Sequence, residues 1–241
     1  IGSHALQNQN NTSNVDVYNV AIGYNAGNSV TTGDRNTFIG SLSGDAINTG
    51  VRNVALGYGA LSAEVKGNKT VAVGHNALAA QSNSGSVDTF NVAVGHDAGG
   101  VLTTGVQNTL IGGLAGDAIT DADRNVALGY NALTNNTVGS RSVAIGTSAL
   151  AVQNPSGATD MYNVAIGDDC GKLITTGTLN TIIGGLAGDS LTTGFQNIAI
   201  GYGALGAETV GGDSVAIGTE ALTTQISSAT SIYNVAIGTS A

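Results

Sequence analysis

The chain has 241 residues, 37 of them glycine, with one proline, no tryptophan and 10% charged residues; at 41% hydrophobic it is too apolar for a disordered chain, yet short of the large side chains that fill an ordinary core. Its net charge of −9 comes from 16 acidic and 7 basic residues with no basic cluster, which argues against nucleic acid and anionic membranes as partners. Apolar runs are only a few residues long, so no membrane insertion is expected; no signal peptide is visible; Cys170 stands alone, so no disulfide within the chain holds the fold.

From the N-terminus, glycines that follow Ile, Leu or Val fall at Gly2, Gly23, Gly40, Gly57, Gly74, Gly95, Gly112, Gly129, Gly146, Gly167, Gly184, Gly201, Gly218 and Gly238. Their spacing runs 21, 17, 17, 17 three times over and then 20, so a unit of 17 residues is nested in one of 72. A fixed period of this size marks a solenoid or array. The whole of 1–241 is therefore expected to be one repetitive segment, with super-repeats at about 2–73, 74–145, 146–217 and a partial 218–241.

The three residues before each glycine read as a strand, beginning with Val20, Thr37, Val54, Val71 and so on along the chain. Side chains alternate faces, so Val54 and Leu56 share one face and Ala55 takes the other. The β-branched face is expected to be the core face, and the Ala face to be covered by something that approaches closely. Where the first position becomes Thr37, Thr109 or Thr181, the middle one grows to Phe38, Leu110 or Ile182, so both faces answer to packing.

Four residues before the glycine Asn dominates (Asn19, Asn53, Asn91, Asn125, Asn163, Asn197), and neighbouring coils can join these into a hydrogen-bonded ladder that fixes register. The glycines, among them Gly23, Gly57, Gly95, Gly129, Gly167 and Gly201, suit a positive φ or a close backbone approach. Three residues later comes a small residue such as Ala26, Ser43 or Ala60, then Gly or Leu, which reads as a short second strand. Polar turns such as TTGDRN lead to the next coil. Stacked at ~4.8 Å, the coils would form a rod of roughly 60 Å. The longer coils carry the insertions QNNTSNVDVYN, QSNSGSVDTFN, QNPSGATDMYN and QISSATSIYN, each with an aromatic before its Asn: Tyr18, Phe90, Tyr162 and Tyr233.

The segments NVAIG, SVAIG and NVAVG, each followed by two variable residues and a small one, resemble the head repeats of YadA-like trimeric autotransporter adhesins. The nested pattern with NTLIGGLAGDAIT and TTGxxNTxIG is similar to the repeat arrays of bacteriophage tail fibres, over nearly the whole chain. The coils here are longer than the usual adhesin-head repeat. The resemblance implies a homotrimer of left-handed parallel β-rolls, an extracellular or virion location, and attachment to a host surface glycan or protein. On the residues alone, an Ala face in need of a cover also points to trimer closure. Both ends cut through a coil without a polar cap, so the segment is expected to belong to a longer fibre.

Candidate chemistry is sparse. GYGALG at 201–206 matches a dinucleotide fingerprint, but GYGALS at 57–62 and GYNALT at 129–134 lose its third glycine and no helix pattern follows, so it reads as a coil of the rod. Asp45, Asp117 and Asp189 recur once per 72 residues and read as turn caps; calcium would need ligands from three chains. His4, His75 and His96 share no fixed coil position from one large unit to the next, and no metal spacing or cofactor motif is read. Cys170 occupies the position of Ala26 and Ala98 and reads as a small inward residue without a partner base. The Thr-Thr-Gly turns recur in too few coils for an ice-binding array. Tyr18, Phe90, Tyr162 and Tyr233 are the candidates for contacting a glycan or protein, or else pin the loops to the rod. The expectation is an all-β, non-catalytic fibre or adhesion module: a phage tail fibre shaft, or alternatively the head of a bacterial trimeric adhesin. A polysaccharide lyase is disfavoured, because no acid/base cluster is evident.

Overall fold

The computed structural model describes residues 1–10, 16–228 and 231–241. Residues 11–15 of the first insertion and 229–230 of the fourth lie outside the described residues. The fold is all-β, a parallel solenoid of about 13 turns, and the chain divides into two compact units, Ile1–Asp121 and Ala122–Ala241. The 17-residue period of the sequence runs on through both.

The first unit stacks β1 (Val20–Ile22), β2 (Thr37–Ile39), β3 (Val54–Leu56), β4 (Val71–Val73), β5 (Val92–Val94) and β6 (Thr109–Ile111) in chain order, every pair parallel. The second contains β7 (Val126–Leu128), β8 (Gly139–Ser140), β9 (Val143–Ile145), β10 (Thr159–Asp160), β11 (Val164–Ile166), β12 (Thr181–Ile183), β13 (Ile198–Ile200), β14 (Val215–Ile217) and β15 (Val235–Ile237). There β7, β9 and β11 to β15 pair in order, while β8 and β10 form a separate two-stranded ladder. Register holds across the long coils: Val71 pairs with Val92 and Val143 with Val164, just as Val54 pairs with Val71. The insertions at 82–89 and 154–161 are accommodated without shifting a rung.

The two strand faces are the reverse of the sequence expectation. Ala55, Ala72, Ala93 and most of their equivalents are fully buried inside the coil, whereas the β-branched face points outward. Val20, Ile22, Ile39, Val94, Leu128 and Ile198 are between 36% and 47% exposed. The cause is the narrowness of the coil. Its interior already holds the small column Ala26, Ser43, Ala60 and Ala77, so a strand can turn only a small residue inward. Phe38 is the informative exception. A Cβ on Gly27 would lie 2.6 Å from its ring and one on Gly44 2.4 Å, so two glycines make its room. Leu110 sits against Gly99 and Gly116 in the same way. The substitution pattern noticed in the sequence is interior packing.

The second strand expected after the glycine is instead a run of tight turns. Ala26 N–H donates to Gly23 C=O (3.4 Å), Asn28 to Asn25 (3.1 Å) and Val30 to Gly27 (3.1 Å). Asn25 and Gly27 both have positive φ, as the third residue of a type II turn requires. Their N–H groups point along the stack, Asn25 to Ser3 C=O in the preceding coil and Gly27 to Ser43 C=O in the next. Leu42, Leu61 and Leu78 adopt the same left-handed backbone, which an alternating small–large pattern does not announce.

Two columns lock the coils. The strand-ending glycines have φ between +126° and +146°, and a Cβ on Gly57 would lie 2.3 Å from Gly74 C=O. The buried asparagines form the expected ladder. Asn53 Oδ1 accepts from Thr70 N–H (3.0 Å), and its Nδ2 donates to Gly67 C=O (2.9 Å). Asn36, Asn163, Asn180 and Asn197 repeat both bonds.

Asn53→Ala strands a buried N–H and a buried C=O, and is expected to cost about 1–3 kcal/mol for each. Gly57→Ala forces a carbon into a carbonyl in a left-handed conformation, and is expected to cost at least about 1–3 kcal/mol. Urea unfolding of both against the exposed Thr49→Ala, which should be near neutral, checks the pair.

Candidate functional site

Function on a solenoid lies on its outward columns, because each coil places equivalent residues one rung apart. One such column stands two residues before each strand. In the first unit it comprises Tyr18, Arg35, Arg52, Lys69, Phe90 and Gln107; in the second, Arg124, Arg141, Tyr162, Leu179, Gln196, Asp213 and Tyr233. All have φ between 48° and 62°, and backbone bonds such as Arg35 N–H to Val17 C=O (2.7 Å) hold them in line. Identical backbone geometry aims successive side chains the same way, so neighbours stack.

The stacking is of cation on ring. Arg35 lies over Tyr18 at 6.0 Å, Lys69 over Phe90 at 4.8 Å and Arg141 over Tyr162 at 5.6 Å. Five of the seven basic residues in the chain occupy this column, so it carries most of the positive charge of an acidic protein. Carboxylates flank it: Asp34 pairs with Arg35 (2.9 Å), Asp88 with Lys69 and Asp160 with Arg141 (2.9 Å). Tyr18 Oη donates to Asp16 (2.9 Å). The four aromatics singled out in the sequence thus share one coil position, with Tyr18, Phe90, Tyr162 and Tyr233 exposed by 65%, 49%, 48% and 73%. Rings beside paired guanidinium and carboxylate groups can stack on a sugar face and exchange hydrogen bonds with its hydroxyls.

A second outward column follows each strand-ending glycine directly. It includes Tyr24, Tyr58, His75 and His96 in the first unit, and Tyr130 and Tyr202 in the second. Tyr58 stacks on His75 (centroids 5.3 Å apart, 18° between planes) and His75 on His96 (5.0 Å, 5°). The sequence reading found no histidine cluster because His75 and His96 are 21 residues apart, across an inserted coil. The signal lay in Gly74-His75 and Gly95-His96, where both histidines follow a rung glycine. His4 stands one residue further on from Gly2 and meets Tyr24 edge-on at 6.1 Å.

Sequence reasoning also missed Glu64, which is fully buried. It accepts from the N–H groups of Val65, Lys66, Gly67 and Asn83 and from the amides of Gln81 and Asn83. Burial opposes its ionisation, but the Asn83 and Gln81 amides and the N–H groups of Gly67 and Asn83 outweigh it and lower its pKa from the ordinary 4.5. Gln81 passes the network on to Asn91 (2.9 Å), so a polar plug joins the Asn ladder at the start of the long coil. Its equivalents a large unit later, Asn136 and Gln153, are buried too.

The remaining candidates are structural. Cys170 is fully buried among the inward Ala positions, 3.2 Å from Ile182 C=O, and burial pushes its thiol pKa up to about 12. Burial also raises the pKa values of Asp45 and Asp189, against N–H groups at each turn that hold them down. GYGALG at 201–206 enters turns at Gly201 (φ 133°), not a helix. No protein-family model matches the chain, and no curated protein matches it significantly.

Two measurements follow. Cys170 should resist thiol reagents in the folded chain and react only on unfolding, as read with a chromogenic disulfide at pH 8. Glu64 has a lowered folded pKa, so its contribution is present above the unfolded value and is lost as pH falls through the folded one. Glu64→Gln should therefore be less stable than wild type at pH 7 by about 2–4 kcal/mol. The gap should close as the pH is lowered below 4.5, as read by urea unfolding across pH.

Proposed function

We propose that this chain is a structural and adhesive fibre module without catalytic activity: a homotrimeric shaft of left-handed coils in a phage tail fibre, attached through its outward columns to a glycan or protein of the host surface. The observation that carries the reading is the outward Val/Ile/Leu stripe, present at every rung and left part-exposed by the single chain. Covering it contributes on the order of 1 kcal/mol per side chain. A partner that meets it must offer an apolar residue at each rung and match an irregular run of 17- and 21-residue coils; a second and third copy in register do so by construction. The number three, the hand and the virion location rest on the resemblance of the NVAIG and TTGxxNTxIG patterns. The head of a bacterial trimeric adhesin uses the same stripe and is the second reading.

Light scattering is expected to give three times the 23.7 kDa chain mass, and Leu56→Lys with Val73→Lys is expected to release folded monomers. A wild-type monomer with intact far-ultraviolet dichroism would overturn the fibre architecture. Tyr162→Ala should weaken binding to host-cell envelopes at least about fivefold while leaving the mass unchanged; unchanged binding would remove the aromatic column from the adhesive surface.

A further inference from the structure

The stacked histidines form a cluster that the fibre reading does not use. His75, His96 and Asp97 each offer a ligand atom, and these atoms all lie within 4.8 Å of one another. Their positions are set by the backbone: His75 and His96 each follow a rung glycine, and Asp97 N–H donates to His75 C=O (2.9 Å). The two imidazole planes are 5° from parallel, and both rings are exposed, so their rotamers can close on an ion without disturbing the core. Asp97 Oδ2 lies 2.9 Å from His96 Nδ1, which leaves His96 Nε2 as an open donor and gives the carboxylate the role of fixing the ring or of ligating in its turn. Asp97 also borders a cavity of about 300 Å³ that Asp117 lines, so the surroundings favour a cation.

We propose that His75, His96 and Asp97 bind one divalent transition-metal ion per chain, of the zinc, nickel or copper class, with water completing its shell. Imidazole donors select these ions over magnesium and calcium, which prefer all-oxygen sites. Two histidines and a carboxylate with an open position are a set that zinc accepts.

The test is calorimetric titration of the full chain with zinc chloride in chelator-free buffer, with thermal melting in parallel. One zinc per chain is expected, together with a raised melting temperature. His75→Thr and His96→Thr should each weaken zinc at least about tenfold, and Asp97→Asn by about tenfold. Thr is the residue the repeat itself places at this position in Thr147 and Thr219, so these variants should fold, and dichroism checks that they do. His4→Thr should bind as wild type does. Wild type without saturable binding up to millimolar zinc would overturn the proposal. So would zinc binding that survives His75→Thr and His96→Thr together, or equal displacement of zinc by calcium. None of these outcomes depends on oligomeric state, so the result stands apart from the trimer measurement.

Discussion

Backbone hydrogen bonding between coils is the constraint on which everything else depends. Most coils run as strand for only three residues, yet bonds to the neighbouring coil continue around the turns. They do so because the chain enters the left-handed region again and again: 32 non-glycine residues among those described have positive φ. Such residues are ordinarily a few per cent of a chain. Here most are held by the coil before or after them, so the strain of one turn is offset by the stack. The arrangement tolerates little side-chain bulk where backbones meet, which is why glycine ends every rung.

Periodicity made part of this legible. The glycine column, the Asn ladder and the strand positions all follow from a 17-residue count, because stacking turns a sequence period into a spatial line. The count could not say which face points inward. Alternation separates Val54 and Leu56 from Ala55, but the width of the coil decides which set is enclosed, and that width is set by turns the sequence disguises. Leu61 and Leu78 look like strand residues and are turn residues. Glu64 was hidden for a different reason: an acidic side chain is ordinarily solvated, and its six donors come from two stretches of chain, 65–67 and 81–83, one coil apart.

The outward columns were legible only in part. The four loop aromatics could be picked out by their place before an Asn. Their union with the basic residues could not, since Arg35, Lys69 and Arg141 sit in neighbouring coils of ordinary length. His75 and His96 lie across an insertion that breaks the simple count. In each case the missing information is the same: which residues share a column once the long coils are folded out.

Those long coils separate two demands that are usually in conflict. Val71 and Val92 pair as Val54 and Val71 do, although four more residues lie between them. The cost of closing a loop grows only slowly with its length. The exposed tips of these insertions, 84–87 and 156–158, can therefore lengthen, shorten or change composition while the rungs above and below keep their partners. The solenoid behaves as a rack with interchangeable fittings: what it displays is free to diverge at a pace that what it is built from could not survive.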